Sequence, residues 1–181
     1  LMMPLNAQEE DAPKRFSASV GMGLFHSSDA DVRALHGANE MVPVLRLSAN
    51  VWGPIHAWAS AWFSSSTDAL VGFPDIEATG KQRAIAFGLG YHTCLMPKLT
   101  LKGQLGVALL NIKEEAMGLS ESNSKTALAI GLEANYALTR CLYVGVALQG
   151  NTRVSIVPAS MPDEKQALGG ITSSLHLGIV F

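Results

Sequence analysis

Apolar side chains recur at every second position along eight separate segments of this chain. A period of two marks an extended strand, whose side chains point alternately to opposite faces, whereas a helix repeats every 3.6 residues. The final segment carries Leu175, Leu177, Ile179 and Phe181, interleaved with Ser174, His176 and Gly178. Leu128, Ile130, Leu132, Ala134 and Tyr136 alternate in the same way with Ala129, Gly131, Glu133 and Asn135. So do Leu99, Leu101, Leu105, Val107 and Leu109 against Thr100, Lys102, Gln104, Gly106 and Ala108. Further runs begin at Phe16, Leu45, Ile85 and Leu142. The stretch from Ile55 to Ser65 is strand-like too, but Ala57, Ala59, Ala61 and Phe63 oppose Trp58, Ser60 and Trp62, so its facing is open. Each segment is near the ~9–11 residues of a tilted membrane strand.

Charge placement decides which face meets what. Only 15% of the 181 residues are charged, against roughly 25% in ordinary soluble domains. Mean hydropathy is +0.23, yet no uncharged apolar run approaches the ~20 residues of a membrane-spanning helix. Of the 15 acidic residues, three lie near the N-terminus, eleven in four polar stretches between segments, and only Glu133 within a segment. Arg46 and Lys102 are the mid-segment cations, and both fall in the polar set. An oily face exposed to water on eight strands would aggregate. A Lys or Arg at the bilayer midplane would cost about 2–4 kcal/mol, which accounts for its absence from that face. The alternation therefore predicts an all-β, eight-stranded, antiparallel, up-and-down transmembrane barrel with its apolar face toward lipid.

The connections fit this plan. Gly53-Pro54, Cys94–Pro97 and Leu138–Arg140 are short, whereas 27–40, 65–82, 113–125 and 154–167 are long and polar. Three tight turns on one side and four long loops on the other is the layout of bacterial barrels, with both ends at the periplasmic side. The expected organisation is an N-terminal segment over 1–14 and a barrel over 15–181. That first segment is either a periplasmic extension or a signal-peptide remnant cleaved after Ala7. A net charge of −2 argues against nucleic-acid binding.

The ending Leu175-His176-Leu177-Gly178-Ile179-Val180-Phe181 resembles the C-terminal signal of bacterial outer-membrane proteins, alternating apolar residues closed by Phe. Size and loop layout resemble the small eight-stranded barrels, the OmpA transmembrane domain and OmpX among them. The resemblance spans about Arg15 to Phe181 as a pattern, and only the last seven residues are motif-like. It implies an outer-membrane location, recognition of Leu175, Leu177, Ile179 and Phe181 by the barrel-assembly machinery, and no transferred catalytic motif.

Residues able to carry chemistry are few. Arg46, Lys102 and Glu133 point inward, and an ion-pair network among them outweighs a gate or proton path, because an inward charge in a narrow barrel needs partners. His56 and His92 fall near the periplasmic rim, where a pair of imidazoles can bind a metal, but no third ligand is spaced to join them. His176 is lumen-facing. A lipid A deacylase would need Ser and His in contact with an acid. His26, Ser27, Ser28 and Asp29 are the nearest match, and neighbouring residues of a strand face opposite ways. Cys94 and Cys141 lie at short turns, separated by two strands at ~4.8 Å spacing, beyond the ~7 Å reach of a disulfide unless the turns fold under the barrel. Trp52, Trp58, Trp62, Tyr91, Tyr136 and Tyr143 suit interfacial girdles, with lumen filling the alternative for the tryptophans.

The function expected is non-enzymatic, with no catalytic residue, metal or cofactor: a structural or interaction role through extracellular loops or as a subunit of an envelope complex. Its partners would be lipid, lipopolysaccharide, the assembly machinery and other envelope proteins. The alternatives are a lipid A-modifying enzyme, of deacylase or acyltransferase type, and a narrow channel of low conductance. Eight strands leave a lumen that side chains can just fill.

Overall fold

The computed structural model describes residues 16–28, 39–70, 73–116, 119–156 and 166–181. Eight strands run in order: β1 (Phe16–Ser27), β2 (Glu40–Trp52), β3 (Ile55–Leu70), β4 (Phe73–Met96), β5 (Leu99–Ala116), β6 (Leu119–Ala137), β7 (Leu142–Ile156) and β8 (Gln166–Val180). Each pairs antiparallel with the next, and β8 pairs with β1 to close the barrel. At that seam Phe16 and Phe181 exchange both backbone hydrogen bonds at 3.0 Å, and their rings stack at 6.1 Å. The terminal Phe thus seals the last ladder as well as lying on the outer wall. The segment 1–14 lies outside the described residues.

The barrel is inside-out relative to a soluble one. Val20, Leu47, Leu105, Ile130, Leu132 and Leu177 are all at least half exposed, while Ser19, Arg46, Gln104, Glu133, Asn135 and His176 are buried. On β6 the outward residues Leu128 to Tyr136 cover about 26 Å of strand, comparable to the ~25 Å apolar band of such barrels. Water cannot be the solvent for that belt, since wetting it would expose apolar side chains on every strand.

One expectation about the loops needs correcting, and the facing left open for β3 is settled. The stretches 65–82 and 113–125 are not long loops. β3 and β4 stay paired up to Leu70 and Phe73, and β5 and β6 up to Ala116 and Leu119. Strand lengths accordingly reach 24 residues in β4, well past the ~9–11 of a membrane crossing. Above the membrane both faces of a ladder meet water, so polarity continues on both sides and the period-two signal disappears. Secondly, β3 turns His56, Trp58, Ser60 and Trp62 inward, with Phe63 exposed outward. Trp58 and Trp62 therefore fill the lumen, as does Tyr143, and of the six Trp and Tyr residues only Trp52, Tyr91 and Tyr136 face outward.

Candidate functional site

The lumen is built in two tiers. In the upper tier Phe25, Val42, Val44, Trp62, Ala84, Ala108, Leu110 and Ile112 pack into one buried apolar cluster. Phe25 and Trp62 lie with ring centroids 4.4 Å apart, across the β1–β3 side of the barrel. Sequence reasoning missed this tier. Its residues alternate with outward Ile85, Leu109 and Leu128, so both faces are apolar at that height and a period-two reading sees no contrast.

The lower tier is ionic. Lys102 and Glu133 are register partners on β5 and β6, and Lys102 Nζ lies 3.3 Å from Glu133 Oε1. Arg46 comes from β2, on the opposite wall of the barrel, and its Nε reaches Glu133 Oε2 at 3.2 Å. Arg46 Nη2 donates to Gln104 Oε1 at 2.9 Å, and Gln104 Nε2 donates to Glu133 Oε2 at 3.2 Å. Asn135 Nδ2 donates to Glu133 Oε1, and Lys102 Nζ also donates to Ser48 Oγ at 3.2 Å. One carboxylate thus accepts from four side chains, about as many as its lone pairs allow. The structure brings Arg46, Lys102 and Glu133 into a single network, and Arg46 is a cross-brace between walls four strands apart.

Glycines make room for the bulky polar side chains of this tier. A Cβ on Gly90 would stand 2.5 Å from the His56 ring, and one on Gly145 only 2.0 Å from Asn135 Oδ1 and 2.4 Å from His176 Nε2. His176 Nε2 is 3.1 Å from Asn135 Oδ1, so the ring is held by the same network. His56 and His92 do approach, with ring centroids 5.8 Å apart. Among the described residues, no group of three or more His, Cys, Asp or Glu side chains is arranged to hold a metal.

The remaining expected residues stay apart. His26 faces outward while Ser27 is buried, as adjacent strand residues must be. His26 Nδ1 meets Asn39 Oδ1 at 3.3 Å, and Ser28 Oγ donates to the Gly169 carbonyl at 3.1 Å. Asp29 lies outside the described residues. Cys94 and Cys141 are both exposed free thiols. Leu175, Leu177, Ile179 and Phe181 line the outer wall of β8 and its end.

No family model and no curated protein sequence matches the chain. Solved structures do. Ail, the attachment invasion locus protein of Yersinia pestis, crystallised with the heparin analogue sucrose octasulfate, aligns with TM-score 0.60 and 17% identity over 92% of this chain and 98% of its own. Neisserial surface protein A aligns with TM-score 0.61 and 10% identity over 91% and 95%. The N-terminal β-barrel domain of Pseudomonas aeruginosa OprF aligns with TM-score 0.50 and 14% identity over 90% and 97%. At such identities the common property is architecture. The chain has the fold of the small bacterial outer-membrane β-barrels, fitted to a bilayer by its own apolar belt.

Proposed function

We propose that the protein is a non-enzymatic outer-membrane barrel that holds a four-stranded sheet above the cell surface as an interaction platform. The carrying observation is where the ladders stop. β2–β3 pairing ends at Val44–Trp62 and β6–β7 pairing at Ala129–Asn151, yet β3, β4, β5 and β6 continue upward together. The overhang is about 26 Å on β3 and about 33 Å on β6, at ~3.3 Å per residue. Over that length, among the described residues, the outer edges of β3 and β6 carry no ladder pairing: β2 and β7 still touch their lower parts through Glu40 with Ser64 and Thr152 with Leu128, and the main-chain groups above are left to a partner. A strand edge offers main-chain donors and acceptors to an added strand, the recognition mode of β-augmentation.

Lipopolysaccharide is the second partner in this reading. Lys81 and Lys113 are register partners on the outer wall, with Arg83 two residues below Lys81 and just above Ile85 of the belt. Three cations at the upper edge of the apolar band suit phosphate groups of the outer leaflet. The apolar upper tier of the lumen speaks against a steady water path, and the opposed facing of His26 and Ser27 against a Ser–His dyad there.

A photo-crosslinking residue at Ser122 on the β6 edge, and another at Ile130 in the belt, test the proposal in intact cells. Protein adducts at Ser122 with lipid adducts alone at Ile130 are expected. Failure of Ser122 to capture any protein, in cells that display the folded barrel, would refute the platform reading.

A further inference from the structure

The lower lumen is short of one negative charge. Below the apolar tier the described residues place two cations, Arg46 and Lys102, around a single carboxylate, Glu133. With the histidines neutral, one positive charge is left over in a narrow barrel. A surplus charge held in a low-dielectric wall beside a water-filled mouth draws a counter-ion to that mouth.

The place for that counter-ion is beside Lys102. A cavity of about 220 Å³ opens at the periplasmic mouth, and Lys102 and Lys98 both line it. Its remaining polar wall includes Ser17, Ser48, Thr100 and Asn135, all able to donate hydrogen bonds. No carboxylate is among the lining side chains, and Glu133 itself is not on the cavity surface. Ser17 and Ser48 bond each other at 2.7 Å, and Ser48 accepts from Lys102, so these hydroxyls are fixed around the ammonium. Phe16 and Val180 close another side with apolar surface. The volume equals that of about seven waters at ~30 Å³ each, ample for a phosphate or a short organic acid.

We propose that this cavity is a binding site for a small oxyanion, a carboxylate or phosphate group, entering from the periplasm and neutralising the surplus charge at Lys102. The oxyanion accepts a hydrogen bond from one N–H of the Lys102 ammonium, a charge-assisted bond, with Thr100 and Lys98 as further donors. Glu133 keeps its bonds to Arg46 and Lys102, so the site adds to the network without dismantling it. The ion stays on the periplasmic side, since Phe25 and Trp62 obstruct the lumen above. This reading is independent of the extracellular platform, because it concerns the opposite end of the barrel.

The full chain, folded in zwitterionic micelles, is titrated with inorganic phosphate, acetate or butanoate at constant ionic strength, following backbone amide shifts by NMR. Saturable shifts confined to residues around Ser48, Thr100 and Lys102 are expected for at least one probe. Preference for phosphate or for the carboxylates then tells which source the site takes, and an advantage of butanoate over acetate reports the Phe16–Val180 wall. Lys102→Met removes the surplus charge and should abolish saturation. Should that variant fail to assemble, Thr100→Val and Lys98→Gln leave the ion pair alone and should each weaken binding by roughly threefold to tenfold. Unsaturating shifts spread over exposed Lys and Arg residues, or saturation unaffected by all three substitutions, would overturn the proposal.

Discussion

Replacing Glu133 by Gln tests the ionic tier at its centre. The carboxylate is only 5% exposed and holds Arg46 at 3.2 Å and Lys102 at 3.3 Å. Glutamine keeps one carbonyl acceptor but turns an amide N–H₂ toward either Gln104 or Asn135, which in the parent donate to Oε2 and Oε1 respectively. Arg46 suffers most, because it is 6% exposed and crosses the barrel to reach its partner, whereas Lys102 is 13% exposed and borders the periplasmic cavity. Removing one partner of a buried pair costs about 3–5 kcal/mol. Because Lys102 has access to water, the lower part of that range is expected. Removing all three charges together (Arg46→Met, Lys102→Met, Glu133→Leu) leaves no stranded ion and should cost less than the single change. The assay is urea unfolding from lipid vesicles, followed by fluorescence of the lumen-facing Trp58 and Trp62. A Glu133→Gln barrel within about 0.5 kcal/mol of the parent, the scatter of neutral surface changes, would refute the network as a stabilising element. So would a triple variant weaker than the single one.

Other outcomes follow from the same geometry. Ile130→Arg places a cation in the belt and should cost about 2–4 kcal/mol or block assembly, whereas inward-facing Ala147→Ser should be tolerated; heat-modifiable gel migration reads both. Gly145→Ala drives a methyl group into Asn135 and His176 and should lower stability by about 1–3 kcal/mol, measured in the same urea series. Planar-bilayer recordings should show no steady conductance for the parent chain. Phe25→Ala combined with Trp62→Ala, which empties the upper tier, should introduce rare openings.

Strand number, closure and facing were legible where the two faces differ in chemistry. On β6 the contrast between Ile130 or Leu132 and Glu133 or Asn135 leaves one solution. On β3 it fails, because alanines oppose tryptophans and both are apolar; packing of Trp62 against Phe25 settles the facing. The overhang was hidden for a related reason, since Ser122 and Ser124 belong to a ladder wetted on both sides and Asn111 donates to both hydroxyls. The Lys102–Glu133 pair could be read from the two short turns below, because Lys102 and Glu133 stand at similar heights above the β4–β5 and β6–β7 turns on adjacent strands. The third member could be named as inward but not paired, because Arg46 and Glu133 are 87 positions apart and meet only when the sheet closes. The glycines at 90 and 145 likewise show their purpose only beside His56 and His176.

The measurement closest to the central claim is the depth of the outer wall in a bilayer. Single spin labels at Ile130, Leu132, Leu177 and Ser122, on a Cys94→Ser, Cys141→Ser background, can be probed with oxygen and with a water-soluble paramagnetic reagent. The three belt positions should be accessible to oxygen and closed to the aqueous reagent, with Ser122 the reverse. Free access of the aqueous reagent to Ile130, Leu132 and Leu177 in the folded, lipid-reconstituted protein would contradict the account.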